Sequence, residues 1–379
     1  MQKLAIIGAS YLQEPLIQKA KSMGLQTHVF AWAANDVGEK SADYFYPISI
    51  IEKDAILAKC REIGIDGICT IASDLAVITV NYVADKLGLV ANSLNSAYMS
   101  TNKHAMRECF YANNDPAPKS YPVCSINDLR DKDLSYPVII KPVDRSGSRG
   151  ITKLEAGQGL ANAIEFAKEQ SFANQALVEE FVDGVEYSVE CISWQGKHTF
   201  LALTRKYTTG APHFIEKGHL QPASVNVDVL EQIKEITFHA LDSLQINNGA
   251  SHTELKITPN GQIKLIEIGA RMGGDFIGSN LVAMSTGIDF VKAVIQVALG
   301  QEPDLKAKIS GGGGAAVHFI FTEEDVEKLY RLETQYNEYL VDKHIDDDIS
   351  GEIVDSSTRH GYFLLKANSA SELELFMPK

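Results

Sequence analysis

Two glutamates, Glu254 and Glu267, carry the strongest chemical signal in this chain of 379 residues. They sit in SHTELKITPNGQIKLIEIGARMGGD, on either side of Asn260-Gly261. Asn-Gly between apolar-rich runs is a strong short-range signal for a β-hairpin closed by a two-residue type I′ turn. With that loop Pro259 faces Gln262, and counting outward along the ladder sets Glu254 opposite Glu267 on one face. Directly opposed Cβ atoms in such a ladder lie roughly 4.5–5.5 Å apart, so two ionised carboxylates there repel unless a cation lies between them. Hard divalent cations take carboxylate oxygens and leave positions open for substrate phosphates, which makes the pair a candidate metal site. His252 points to the same face by strand alternation, and Arg271 follows Glu267 within four residues. The bland alternative is a solvent-facing edge hairpin with scattered charges, and a one-residue bulge would alter the register.

Phosphate-binding chemistry is the second signal. Lys103 sits in the first turn of a helical stretch, where a cation is poorly placed for the helix dipole unless an anion is bound beside it. Lys141 ends the β-branched run VII, and a polar loop from Asp144 to Gly150 follows it with two glycines and two serines. Successive backbone N–H groups of such a loop can cradle phosphate oxygens. The lysine precedes the glycines, so this is not the GxxxxGK[ST] loop. Glu179, Glu180 and Glu186 lie close together around a turn at Asp183-Gly184, either as a solvated edge or as a connector that meets adenine and ribose.

The elements that must hold these groups follow from periodicity. Residues 1–97 alternate short apolar runs with helical patterns, the rhythm of a parallel, doubly wound sheet. Gly8 and Ser10 follow the first strand, but Ser10 and Gln13 stand where the second and third glycines of a dinucleotide fingerprint are needed. Residues 98–115 read as one amphipathic helix with a polar start, 159–170 and 227–245 as further helices, and 176–184 and 186–194 as strands. Residues 203–222 read as an irregular loop lining something polar. Gly273 and Gly274 can form a nest of N–H groups. Gly300 caps a helix, Gly311 to Gly314 lead into a strand, and the last seventy residues read as a small α/β unit in which DKHIDDDIS is a solvated loop.

Composition narrows the classes. An apolar share of 45% predicts an ordered protein of two or three units. A net charge of −14 argues against nucleic-acid or anionic-membrane partners. Five cysteines without CxxC spacing read as reduced. With no signal-peptide pattern and no long apolar run, a cytoplasmic location is expected.

Taken together and in order, Lys103, IIKP with Lys141, the SGSRG loop, EEFVDGVEYSVE, and Glu254 with Glu267-x-x-x-Arg271 resemble the ATP-grasp superfamily of carboxylate-amine ligases. GAS-x-LQ-x-PLI-x-KAK-x-MG, EIGARMGGDF and RHGYFLL are most similar to its L-amino-acid ligase and carnosine-synthase-like branch. The resemblance implies an α/β fold with an α+β lid: an N-terminal α/β subdomain at 1–97, an ATP-grasp core at 98–310 whose mobile lid spans about 117–182, and a C-terminal α/β subdomain at 311–379. It implies ATP, with Mg²⁺ or Mn²⁺, as cofactors. Lys103 and Lys141 would hold the α- and β-phosphates, and the lid backbone around Ser146, Gly147 and Ser148 would cover the γ-phosphate. Glu179 and Val182 would meet adenine in the connector that also holds Glu180, and Glu186 would bind ribose. Glu254 and Glu267 would ligate the metal, while Arg271 and His252 would serve catalysis.

The implied reaction activates a small-molecule carboxylate as an acyl phosphate and joins it to an amine, in a homodimer by analogy. Gly269 departs from the pattern, because many relatives place Asn there; that departure keeps a nucleotide-binding regulatory protein without turnover in view. A nicotinamide-dependent oxidoreductase is a further alternative, weakened by the missing glycines.

Overall fold

The computed structural model describes residues 1–307 and 313–378. The βα rhythm of the first ninety residues builds a parallel sheet in the order β3-β2-β1-β4 from β1 (Lys3–Ile7), β2 (Gln26–Ala31), β3 (Tyr44–Pro47) and β4 (Gly67–Cys69). In the turn after β1, Gln13 donates to the carbonyl of Ile71 at 2.8 Å and accepts from Ser10 Oγ at 2.8 Å. A side chain thus fills the space beside Gly8 that a pyrophosphate would need. The helix Asp74–Leu87 starts from Ser73, whose hydroxyl accepts from the N–H of Ala76 at 3.4 Å, so Asp74 lies in its first turn.

A second antiparallel sheet, β5-β8-β6-β7, comprises β5 (Ser120–Val123), β6 (Val138–Pro142), β7 (Thr152–Leu154) and β8 (Ala176–Glu180), with the helix Leu160–Gln170 packed on it. This small unit lies within the span expected for the lid.

The third sheet has eight strands in the order β13-β12-β9-β10-β11-β14-β16-β15. They are β9 (Val185–Trp194), β10 (Lys197–Thr208), β11 (Glu216–Gln221), β12 (Gly249–Ile257), β13 (Ile263–Gly269), β14 (Gly314–Phe319), β15 (Leu340–Ile345) and β16 (Gly361–Ala367). The helix Phe290–Ala298 joins this sheet to the N-terminal unit: Phe290, Val291 and Val294 share one buried cluster with Leu16, Ile17, Ile192 and Leu201.

Several expectations need correction. Residues 98–115 are two helices, Leu94–Thr101 and Lys103–Ala112, because Asn102 is extended and its side chain accepts from the N–H of Ala105 at 3.0 Å. An N-cap restarts the helix there. The expected loop 203–222 is mostly β10 and β11; its polar residues are buried on a sheet face that lines a cleft, so no apolar alternation marks the strands. Part of DKHIDDDIS is the exposed edge strand β15. Strands β14 to β16 continue the large sheet instead of forming a separate one. Gly311 and the boundary drawn at 310/311 lie outside the described residues.

Candidate active site

The hairpin does set Glu254 against Glu267, by a different route from the one expected. Ile257 pairs with Ile263, and the N–H of Thr258 donates to the carbonyl of Gln262 at 2.9 Å. The loop is therefore three residues, Pro259 to Gly261, with only Gly261 at positive φ, +81°. A type I′ turn needs positive φ at both central residues, and Asn260 does not supply it. That extra loop residue shifts the register by one, and a bulge between Glu254 and Leu255, where Ile266 is the unpaired residue, shifts it back.

Every candidate residue from Lys103 to Arg271 lines one cleft of about 430 Å³. The lid sheet, the face of the large sheet, the loops after β1 and β4, and the segment Asp355–Arg359 enclose it. At the phosphate end, Lys103 Nζ donates to Glu267 Oε1 at 2.8 Å and to the carbonyl of Arg145 at 2.7 Å. Lys141 donates to Glu179 at 3.0 Å. Glu179 also receives Arg107 through Nε at 3.0 Å and Nη2 at 2.9 Å. Burial works to raise the Glu179 carboxyl, but Arg107 and Lys141 hold it below the usual range; burial also lowers Lys141. Two cations share one carboxylate, so this wall keeps a net positive charge that suits phosphate. The carboxylate of Glu179 is thereby engaged by cations on both sides. The SGSRG loop faces the same space, with Gly147 at φ +70° and Ser148 at φ +58°. Ser148 Oγ donates to the carbonyl of Phe214 at 3.1 Å.

At the opposite wall three carboxylates converge on the buried ammonium of Lys206: Glu254 at 2.5 Å, Glu186 at 3.1 Å and Glu216 at 3.7 Å. Burial opposes its charge, yet those acids raise Lys206 well above its ordinary value. Glu254 is held well below the carboxylate range, against burial, by Lys206 and His252. His252 is bonded through Nδ1 to Glu190 and through Nε2 to Glu254 at 3.3 Å. Burial lowers its pKa and the two acids outweigh that, raising it to about 9, so the ring is an imidazolium at neutral pH. Gly273, in the proposed nest, gives its N–H to Glu190 at 3.0 Å.

Arg271 reaches the cleft from the end of β13 and is gripped by Asp74, Nε at 2.8 Å and Nη2 at 2.9 Å. Gly269 now has a reason: a Cβ there would stand 2.8 Å from Asp74 Oδ1 and 3.2 Å from the guanidinium carbon of Arg271. An asparagine would collide with that ion pair.

Sequence reasoning missed Asp74, Arg107, Lys206 and Arg359. Arg359 binds Asp275 with both Nη atoms at 2.8 Å. RHGYFLL contained it, but its partner lies 84 residues away.

The donor set fits a hard divalent cation. Among the described residues no three His, Cys, Asp or Glu side chains form a metal cage. Two opposed carboxylates are what a magnesium-nucleotide site asks of the protein, the remaining ligands being phosphate oxygens and water. Both carboxylates are already neutralised by ammonium groups, which marks the spot as one that favours cations.

Residues 134–279 match the family model of the ATP-grasp domain. Relatives of the chain include the alanine–anticapsin ligase of Bacillus subtilis, 27% identical over 307 residues that cover 71% of this chain and 64% of that protein. Carnosine synthase 1 of Homo sapiens is 22% identical over 346 residues, 81% of this chain and 41% of that one. This chain therefore spans less than two thirds of either relative. Among solved structures, the L-amino acid ligase from Bacillus licheniformis superimposes with a TM-score of 0.83 at 24% identity, covering 99% of this chain and 96% of that chain.

Proposed function

We propose that the protein is an ATP-dependent, ADP-forming ligase that activates a carboxylate as an acyl phosphate and joins it to an amine. The observation that carries this reading is the opposition of Glu254 and Glu267 in the same cleft as Lys103, Lys141 and the SGSRG loop. Lys141 and Lys103 neutralise phosphate charge, and the backbone around Ser146 to Ser148 folds over the terminal phosphate and keeps out water that would hydrolyse the acyl phosphate. Glu180 and Val182 border adenine, and Glu186 the ribose. Glu254 and Glu267 hold magnesium or manganese, which supplies charge neutralisation to the transferring phosphoryl group. Arg271, fixed by Asp74, donates to the oxyanion that develops when the amine attacks the acyl carbonyl, and His252 keeps Glu254 ionised and in place. The five free thiols fit a reducing cytoplasm, and a homodimer follows by analogy.

The test is incubation with Mg-ATP and pools of amino acids, following ADP and amide product by mass spectrometry. Substrate-dependent ADP release with an amide product is expected. Nucleotide binding without any such release would instead mark a regulatory protein, and NADH turnover without ATP consumption an oxidoreductase.

A further inference from the structure

The cleft wall formed by β11, Asp275 and Arg359 holds polar groups that the chemistry above leaves without a task. His219 on β11 is 0% exposed, lines the cleft, and has no hydrogen-bond partner on either ring nitrogen. Burial pushes it down to about 3, so the ring is neutral and offers one donor and one acceptor. Buried polar atoms nearly always have partners, so an unpaired ring facing a cleft points to a ligand group.

Asp275 stands in the same wall. It and Phe276 are successive side-chain-bearing residues at positive φ, +48° and +66°. Phe276 packs against Tyr362 with centroids 4.4 Å apart. Arg359 grips both carboxylate oxygens of Asp275, and every part of that arginine is itself fixed. Its Nε donates to the carbonyl of Ser356 at 2.7 Å, its Nη1 also to the carbonyl of Glu216 at 3.4 Å, and its guanidinium lies 3.6 Å from the centroid of Phe319. A guanidinium so pinned cannot turn toward a substrate. What it does is aim Asp275.

Charge decides which ligand fits. Lys206, Lys256, Arg359 and the His252 imidazolium face five carboxylates, Glu186, Glu190, Glu216, Glu254 and Asp275. The wall keeps an excess of acid, and burial together with Asp275 and Glu254 pushes Glu216 up despite Lys206. Polar contacts run from Glu254 to Lys206 and on to Glu216, whose backbone meets Arg359. A donor whose carboxyl lies at the Glu254–Glu267 pair therefore extends past Glu216 toward Asp275.

The geometry points to Asp275 as the specificity-determining residue for the acyl donor, with Arg359 as its positioning residue: the subsite takes the far end of a donor that terminates in an ammonium group, shared with His219. This deepens the ligase reading and rests on it.

Donor pairs that differ only in the distal ammonium test it: ornithine against norvaline and 5-aminopentanoate against pentanoate, with glutamate as the acidic counterpart. Calorimetry on the full chain, loaded with Mg²⁺ and a non-hydrolysable ATP analogue, reads binding. Donor-dependent ADP release with hydroxylamine as the amine reads turnover. The ammonium-bearing member should bind at least about tenfold tighter, in line with a charge-assisted hydrogen bond, and the preference should appear in KM more than in kcat. Asp275→Asn should bring the ratio near one while the ATP analogue binds as before. Arg359→Met should do the same, and Arg359→Lys should restore part of the preference. If Asp275→Asn does not fold, His219→Leu reads the same ratio, and an undiminished preference there overturns the proposal. So does a wild-type ratio near one, a preference for the neutral or acidic donor, or a tenfold preference that survives Asp275→Asn. Selective binding without donor-dependent ADP release would sink the ligase reading and leave the subsite standing; ADP release without selectivity does the reverse.

Discussion

Glu254 and Glu267 face each other, yet their surroundings differ. Glu254 is enclosed by Lys206 and His252, whereas Glu267 meets Lys103 at the phosphate wall. Glu267→Gln keeps shape and the Lys103 contact but removes the charge. It should abolish ADP formation while shifting the melting temperature by no more than a few degrees; full activity in that variant would remove Glu267 as a metal ligand. His252 governs a separate property. An unfolded histidine titrates near 6.5, and the folded one near 9. The folded state therefore retains a proton that the unfolded chain releases. The resulting stabilisation, on the order of 3 kcal/mol, is complete below pH 6.5 and is lost as the pH rises through 9. In metal-free protein the melting temperature should fall across that interval, and His252→Gln should flatten the fall.

At the scale of elements, the hairpin carries its register through a bulge. Inserting one alanine between Ile266 and Glu267 adds a residue that nothing on β12 compensates, moves Glu267 out of register with Glu254 and turns it to the other face. ADP formation should vanish and circular dichroism should report a weakened fold. A variant that kept activity would mean that the opposition of the two acids is dispensable. This hairpin also shows what the sequence could convey. Turn chemistry located the reversal and the acid pair correctly, but the third loop residue and the bulge each moved the register by one, and the two shifts cancelled. Residues 203–222 were illegible for another reason: Lys206 and His219 are buried where they line a cleft, so polarity signalled a loop while the backbone formed central strands. The break at Asn102 was legible in principle, since Asn is a strong N-cap, but the apolar periodicity ran through it. Lys103, Lys141 and Arg271 could be found because each lies in a local motif. Asp74 and Arg107 could not, because their partners lie 197 and 72 residues away and nothing local marks them.

For the whole molecule, the ion pair between Asp74 and Arg271 crosses from the N-terminal unit to the large sheet. Burial opposes ionisation of Asp74, but Arg271 holds its carboxyl below the usual range. Asp74→Asn should leave ATP binding intact and reduce amide formation by roughly 10–100-fold, the usual cost of removing a group that orients an active-site side chain. Unchanged ligation would show that Arg271 holds its position unaided. The parallel sheet was foreseeable from the βα rhythm, whereas the small sheet β5-β8-β6-β7 was not foreseen as a sheet. The seat of β14 against β11 was not foreseeable, since pairing between strands so far apart in the chain leaves no local trace.

That seating also has a temporal side. A growing polypeptide releases the catalytic hairpin well before β14, β16 and Arg359 exist. For that interval β11 is an open edge, and such edges invite pairing with other chains. Asp275 meanwhile has no guanidinium to direct it, so a nascent chain would set Glu254 against Glu267 before Arg359 exists to orient Asp275.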